Sequence, residues 1–115
     1  MSGPINPDTI TFDAPTQFAE DSSTIPPGTI VRYEYGFSQS SSGPFTTKLI
    51  SDADLTPDAQ GKQTYELNLT GFAFGQWFAA GRAVSKDGPI SGFSNVVAFE
   101  VRALTPKPPT GFTIA

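Results

Sequence analysis

The stretch Ile30-Val31-Arg32-Tyr33-Glu34-Tyr35-Gly36-Phe37-Ser38 decides the fold. Large apolar side chains alternate with Arg32, Glu34 and Ser38, and a period of two is that of a half-buried β-strand. The alternation predicts Val31, Tyr33, Tyr35 and Phe37 on the core face and Arg32, Glu34 and Ser38 on the other. Upstream, Pro26-Pro27-Gly28 is a turn, and Thr9-Ile10-Thr11-Phe12-Asp13-Ala14 alternates again with Ile10, Phe12 and Ala14 on one face. Pro15, which has no N–H for a ladder, stops it. Downstream, a Ser-rich loop over 38–43 leads to a shorter strand over 45–50, then to a polar loop over 51–62. A strand over 63–70 places Tyr65, Leu67 and Leu69 together. Gly71-Phe72-Ala73-Phe74-Gly75 is a bend, 76–84 a strand, Lys86-Asp87-Gly88-Pro89 a turn, and 93–102 the last strand. No stretch sustains a 3.6-residue period. The pattern predicts an all-β fold, an antiparallel sandwich of about seven strands over residues 9–104, with an arm over 1–8 and a Pro-rich linker and strand over 105–115.

The composition agrees with a small packed domain. The chain has 115 residues, eleven Gly and eleven Pro, and 12% aromatic residues including ten Phe. That many large apolar side chains argue for a core. Phe12, Val31, Tyr33, Tyr35, Leu67, Leu69, Trp77 and Val97 are the expected core. Trp77, Ala79, Gly81 and Ala83 line one strand face, and their small size predicts close packing against bulky neighbours, with Gly81 kept small by them.

Several chemistries are excluded or disfavoured. With no His and no Cys, the chain lacks an imidazole base, a thiol nucleophile, the usual zinc ligands and any disulfide. Seven Lys and Arg, spread singly, against eleven Asp and Glu make no nucleic-acid footprint. No apolar run has the length of a membrane span, and the first eight residues do not read as a signal peptide. Asp52, Asp54 and Asp58 lack the closing Glu of a calcium loop, so they read as a solvated loop. Glu34 and Glu66 are the carboxylates that a glycosidase would pair; their strand positions point them outward instead. Asn68-Leu69-Thr70 matches a glycosylation sequon by chance in a chain read as unexported. The reading is of a protein without enzymatic activity or cofactor, on a scaffold with little cleft.

In their order, these segments resemble a fibronectin type III domain. Ile10-Thr11-Phe12-Asp13-Ala14-Pro15 is similar to the family's second strand, with Phe12 in place of Trp. Ile30-x-x-Tyr33-x-Tyr35-x-Phe37 resembles the third. Gly75-Gln76-Trp77 with Arg82-Ala83-Val84 resembles a later strand, and Asp87-Gly88-x-x-Ser91-x-x-Ser94-Asn95 the turn into the last. Trp77 stands where the family has its corner Tyr, leaving an indole N–H as the donor for a corner bond. The family's first strand is missing before Thr9. The tail Thr105-Pro106-Lys107-Pro108-Pro109-Thr110-Gly111-Phe112-Thr113-Ile114-Ala115, meanwhile, resembles the linker and first strand that open a following domain.

The resemblance implies a structural subunit of a bacteriophage virion: a decoration, fibre or tail component, made in the bacterial cytoplasm. Its partners would be copies of itself or other virion proteins. Phe112 and Ile114, on the stiff Pro108-Pro109 connector, are the expected interface. They would add a strand to a neighbour. Phe72, Phe74 and Phe93, near turns, are further interface candidates. A carbohydrate- or cell-surface-binding module, using those loop aromatics on host-surface glycan, is the alternative. Neither reading involves nucleic acid or membrane.

Overall fold

The computed structural model describes residues 3–114, so Met1 and Ser2 of the arm and Ala115 of the tail lie outside the described residues. Seven strands form an all-β sandwich: β1 (Thr9–Phe12), β2 (Ile30–Ser38), β3 (Thr46–Asp52), β4 (Thr56–Pro57), β5 (Gln63–Glu66), β6 (Gly75–Ser85) and β7 (Val97–Val101). One sheet has the order β1-β5-β4 and the other β3-β2-β6-β7, with every strand pairing antiparallel. Between them lies a core of Tyr33, Tyr35, Phe37, Leu67, Phe72, Ala79, Phe99 and Val101, with Ile10, Phe12, Leu69 and Trp77 packed against it. The rings meet mostly edge to face, as their quadrupoles favour: Phe12 on Tyr33 at 4.7 Å, Phe37 on Phe72 at 4.9 Å and Phe72 on Trp77 at 5.1 Å between centroids. Tyr65 stacks on Tyr35 at 4.4 Å.

Two expected core residues lie elsewhere. Val31 is 40% exposed, and Ile30 packs against the core instead. The β2–β6 register shifts between Ile30 and Arg32, and such an irregularity reverses the face of the residue beside it. Val97 is 50% exposed although it shares a strand face with the buried Phe99 and Val101, two and four residues on. It points inward and nothing described lies over it. The last strand also begins later than its apolar pattern suggests. Residues 90–96 run beside β6 irregularly: the Ser91 and Ser94 hydroxyls accept from the amides of Ala83 and Gly81, at 2.9 and 3.0 Å. The Ser91 and Ser94 amides donate to the carbonyls of the same two residues.

The outer face of the four-stranded sheet carries a second, smaller packing layer. Glu34 is buried, not solvated as strand alternation suggests. Its carboxylate accepts from Arg82 at 2.8 Å and, more weakly, from Arg32 at 3.4 Å. Phe93 covers this layer, its ring centre 4.8 Å from the Arg82 guanidinium carbon. A Cβ on Gly36 would come within 2.9 Å of the Phe93 ring, so glycine is what lets that ring descend onto the strand. Glu66 is on β5, in the opposite sheet, so the two carboxylates are not paired.

The indole of Trp77 donates to the Ala73 carbonyl at 2.8 Å. That bond closes the corner in which Phe72 turns into the core.

Candidate assembly interface

Both terminal segments lie against or beyond the β7 edge, and they behave differently. The arm pairs with β7. Glu100 donates its amide to the Pro4 carbonyl and accepts from the Asn6 amide, both at 2.8 Å, which makes a short parallel bridge. The Asn6 side chain then holds Arg102 twice, donating to its carbonyl at 2.7 Å and accepting from its amide at 2.9 Å. Gly3 is required for this approach, because a Cβ there would run into the Ala98 carbonyl. The arm therefore covers β7 near Glu100 and leaves β1 unpaired on its outer edge.

Past Arg102 the chain leaves the sandwich. Residues 103–114 are exposed and share no hydrogen bond or ion pair with any described residue. Phe112 is 82% and Ile114 92% exposed. The radius of gyration, 18.4 Å, exceeds the roughly 13 Å of a compact chain of this length, and the long axis of the molecule is 75 Å against 32 and 22 Å. Pro106, Pro108 and Pro109 stiffen the connector and hold it extended. The tail does not fold back on its own sheet.

The loop aromatics separate. Phe72 is 7% exposed in the core and is withdrawn as an interface residue: the Trp77 corner turns its ring inward onto Phe37 and Phe99. Phe74 is 70% exposed. It sits before the start of β6, whereas Phe93 lies over Arg82 in the middle of that strand, about 20–25 Å along it at 3.2–3.4 Å per residue. They do not form one patch. Asp58 is occupied by its own turn, accepting from the Gln60 and Lys62 amides at 2.9 and 3.0 Å.

A groove of about 570 Å³ opens along one side of the sandwich, between β1 and the Ala79–Ala83 half of β6. Ile10, Phe12, Tyr33 and Tyr35 form its floor and one wall, and Ser91, Ser94 and Val97 its far rim. This corrects two expectations at once. The sandwich does have a cleft, and Gly81 is not hemmed in: a Cβ there would meet its nearest neighbours at 3.8 Å, an ordinary contact. The physical reason is that β1 ends its sheet, so no further strand among the described residues covers Gly81 and Ala83. Burial pushes the Tyr35 hydroxyl pKa up to about 12, against the bond to Ser51 at 2.7 Å that would lower it. The Tyr33 hydroxyl is raised by burial as well. Both groups are neutral at ordinary pH, and the charge in the groove's lining is that of Asp13, Lys62 and Arg82. Comparison with known protein families, curated proteins and solved structures finds no match to this chain.

Proposed function

We propose that this chain is a non-enzymatic structural subunit of a large particle of the bacteriophage virion kind, linked to its neighbours through residues 105–114. The observation that carries the reading is the tail. It is extended and leaves the body. It presents Phe112 and Ile114, two residues apart, with 82% and 92% of their surface in solvent. Apolar side chains at period two on an extended segment are what strand addition to another sheet uses: main-chain bonds supply affinity and alternate side chains fill pockets. The virion context rests on the resemblance to fibronectin-like modules, which are common on such particles. The glycan-binding alternative has less support, since Phe72 is internal and Phe74 and Phe93 stand apart.

Light scattering and negative-stain electron microscopy of the full chain test the linkage. Species larger than 12.2 kDa that revert to monomer in Phe112→Asp are expected. A full chain that stays monomeric at high concentration, together with clear signal on a glycan array, contradicts it and favours the alternative.

A further inference from the structure

We infer that the partner of the tail is a second copy of this chain, and that the acceptor is the β1 edge with the groove beside it. The inference rests on the linking role proposed above for the tail and goes on to locate where it binds.

Three observations converge on this side of the sandwich. The first is a free ladder. The Leu67 amide donates to Asp8, which with the β1–β5 register turns the main chains of Ile10 and Phe12 toward β5. By antiparallel alternation, Thr9 and Thr11 present their N–H and C=O groups outward. Such an edge is a template for another strand unless it is guarded by charge, proline or cover, and β1 carries none of these within its four residues; the nearest charges are Asp8 before it and the Asp13–Lys62 ion pair after it. The other edges are guarded. β3 carries Lys48 and Asp52, β4 is two residues ending in Pro57, and β7 is bridged by the arm.

The second observation is the groove itself, which puts a pocket next to that ladder. Its apolar lining includes Ile10, Phe12, Ala79, Ala83 and the half-exposed, inward-pointing Val97. Its volume lies in the range that encloses a small ligand, enough to receive two apolar side chains. The third is the tail. After the bend at Thr110 and Gly111, Phe112 and Ile114 are spaced by two, so that once paired as a strand they would stand about 6–7 Å apart on one face, the spacing that a pocket alongside a strand receives. The tail departs from the Val101 end of β7, while the groove lies toward the Val97 end, and the stiff connector leads away from it. A neighbouring copy is thus the occupant that the geometry offers. The contact joins two different surfaces, so it propagates head to tail into rings or filaments.

The test uses three full-length variants. Phe112→Asp disables the donor. Gly81→Leu fills the groove and Val97→Asp charges it, and both leave the tail intact; circular dichroism and Trp77 fluorescence check that each is folded. Each variant alone should associate at least about tenfold more weakly than the parent, the loss expected of a buried apolar anchor. An equimolar mixture of Phe112→Asp with Val97→Asp should form a dimer and stop there, because only one donor and one acceptor remain. If Phe112→Asp dissociates the particles while both groove variants assemble like the parent, the acceptor lies elsewhere and this inference fails, with the linking tail intact. If the parent and Phe112→Asp have the same mass, the linking tail itself fails. A monomeric parent whose Thr9 and Thr11 amides lose protection in Phe112→Asp would show the tail in its own groove, and that too overturns the second-copy assignment.

Discussion

Along a single face of β6, the two halves are packed in opposite ways. Trp77 packs against Phe72, with Phe37, Phe72 and Phe99 in mutual edge contact and the indole bonded to Ala73; the buried Ala79 marks where the groove begins. Gly81 and Ala83 open onto the groove. The closed half uses large residues and a corner turn to finish its own core. The open half uses small residues and leaves inward-pointing Val97 half in water. Packing is thus closed at one end of the strand and open at the other, and substitutions should sort accordingly.

The largest effect is expected in the closed half. Trp77→Ala removes ring contacts and the corner bond together and should cost about 3 kcal/mol or more, the scale of truncating a packed aromatic. Since a domain holds only about 5–15 kcal/mol in total, a urea melt will show it plainly. Trp77→Phe keeps most of the packing and loses the indole donor, so it should cost about 1 kcal/mol.

On the outer layer, Glu34→Ala leaves Arg82 without its carboxylate beneath the Phe93 ring. Because Arg82 keeps partial access to water, the loss should fall near 2 kcal/mol, below that of a fully buried pair. Thermal denaturation of the variant measures it.

Alkali offers a further contrast, because Tyr35 ionises at about 12 in the folded chain against about 10 unfolded. A raised phenol pKa means the folded state favours the neutral form. Its contribution is therefore complete below about pH 10 and is lost as pH rises from there through about 12. Stability followed by fluorescence over this range should fall in the parent and fall less in Tyr35→Phe.

The smallest effects belong to the open half. Gly81→Leu should change stability by under about 1 kcal/mol, because the new side chain enters open groove. A loss of several kcal/mol would mean that the groove closes in solution.

How much of this the sequence discloses follows from what alternation can report. It reports which way a side chain points, and so it finds Tyr33, Tyr35 and Phe37 on the core face. It does not report what lies above that face. Val97 points inward as read, yet no strand among the described residues covers it. Val31 fails for another reason. Ile30 and Val31 are both β-branched and apolar, so nothing in the residues says which of them the β2 irregularity turns inward. Glu34 was legible as facing away from the core, but not as covered. The ring that covers it comes from Phe93, far along the chain, and depends on the bare backbone at Gly36. Phe72 could not be told from Phe74 by composition. What separates them is the Ala73–Trp77 bond, and the indole in place of a tyrosine was the available signal. The tail was the clearest feature of all, since three prolines and an apolar pair spaced by two need no tertiary context to be read.

Amide exchange at Thr9 and Thr11 is the sharpest test of the proposal that another molecule completes the open half. These two main-chain groups face the outer edge of β1 and have no partner strand among the described residues. In the assembled parent, measured by NMR or mass spectrometry at a concentration where light scattering shows multimers, their exchange should be at least about tenfold slower than in Phe112→Asp, as an added ladder requires. Equal, fast exchange at both residues in the multimeric parent and the variant would contradict the account.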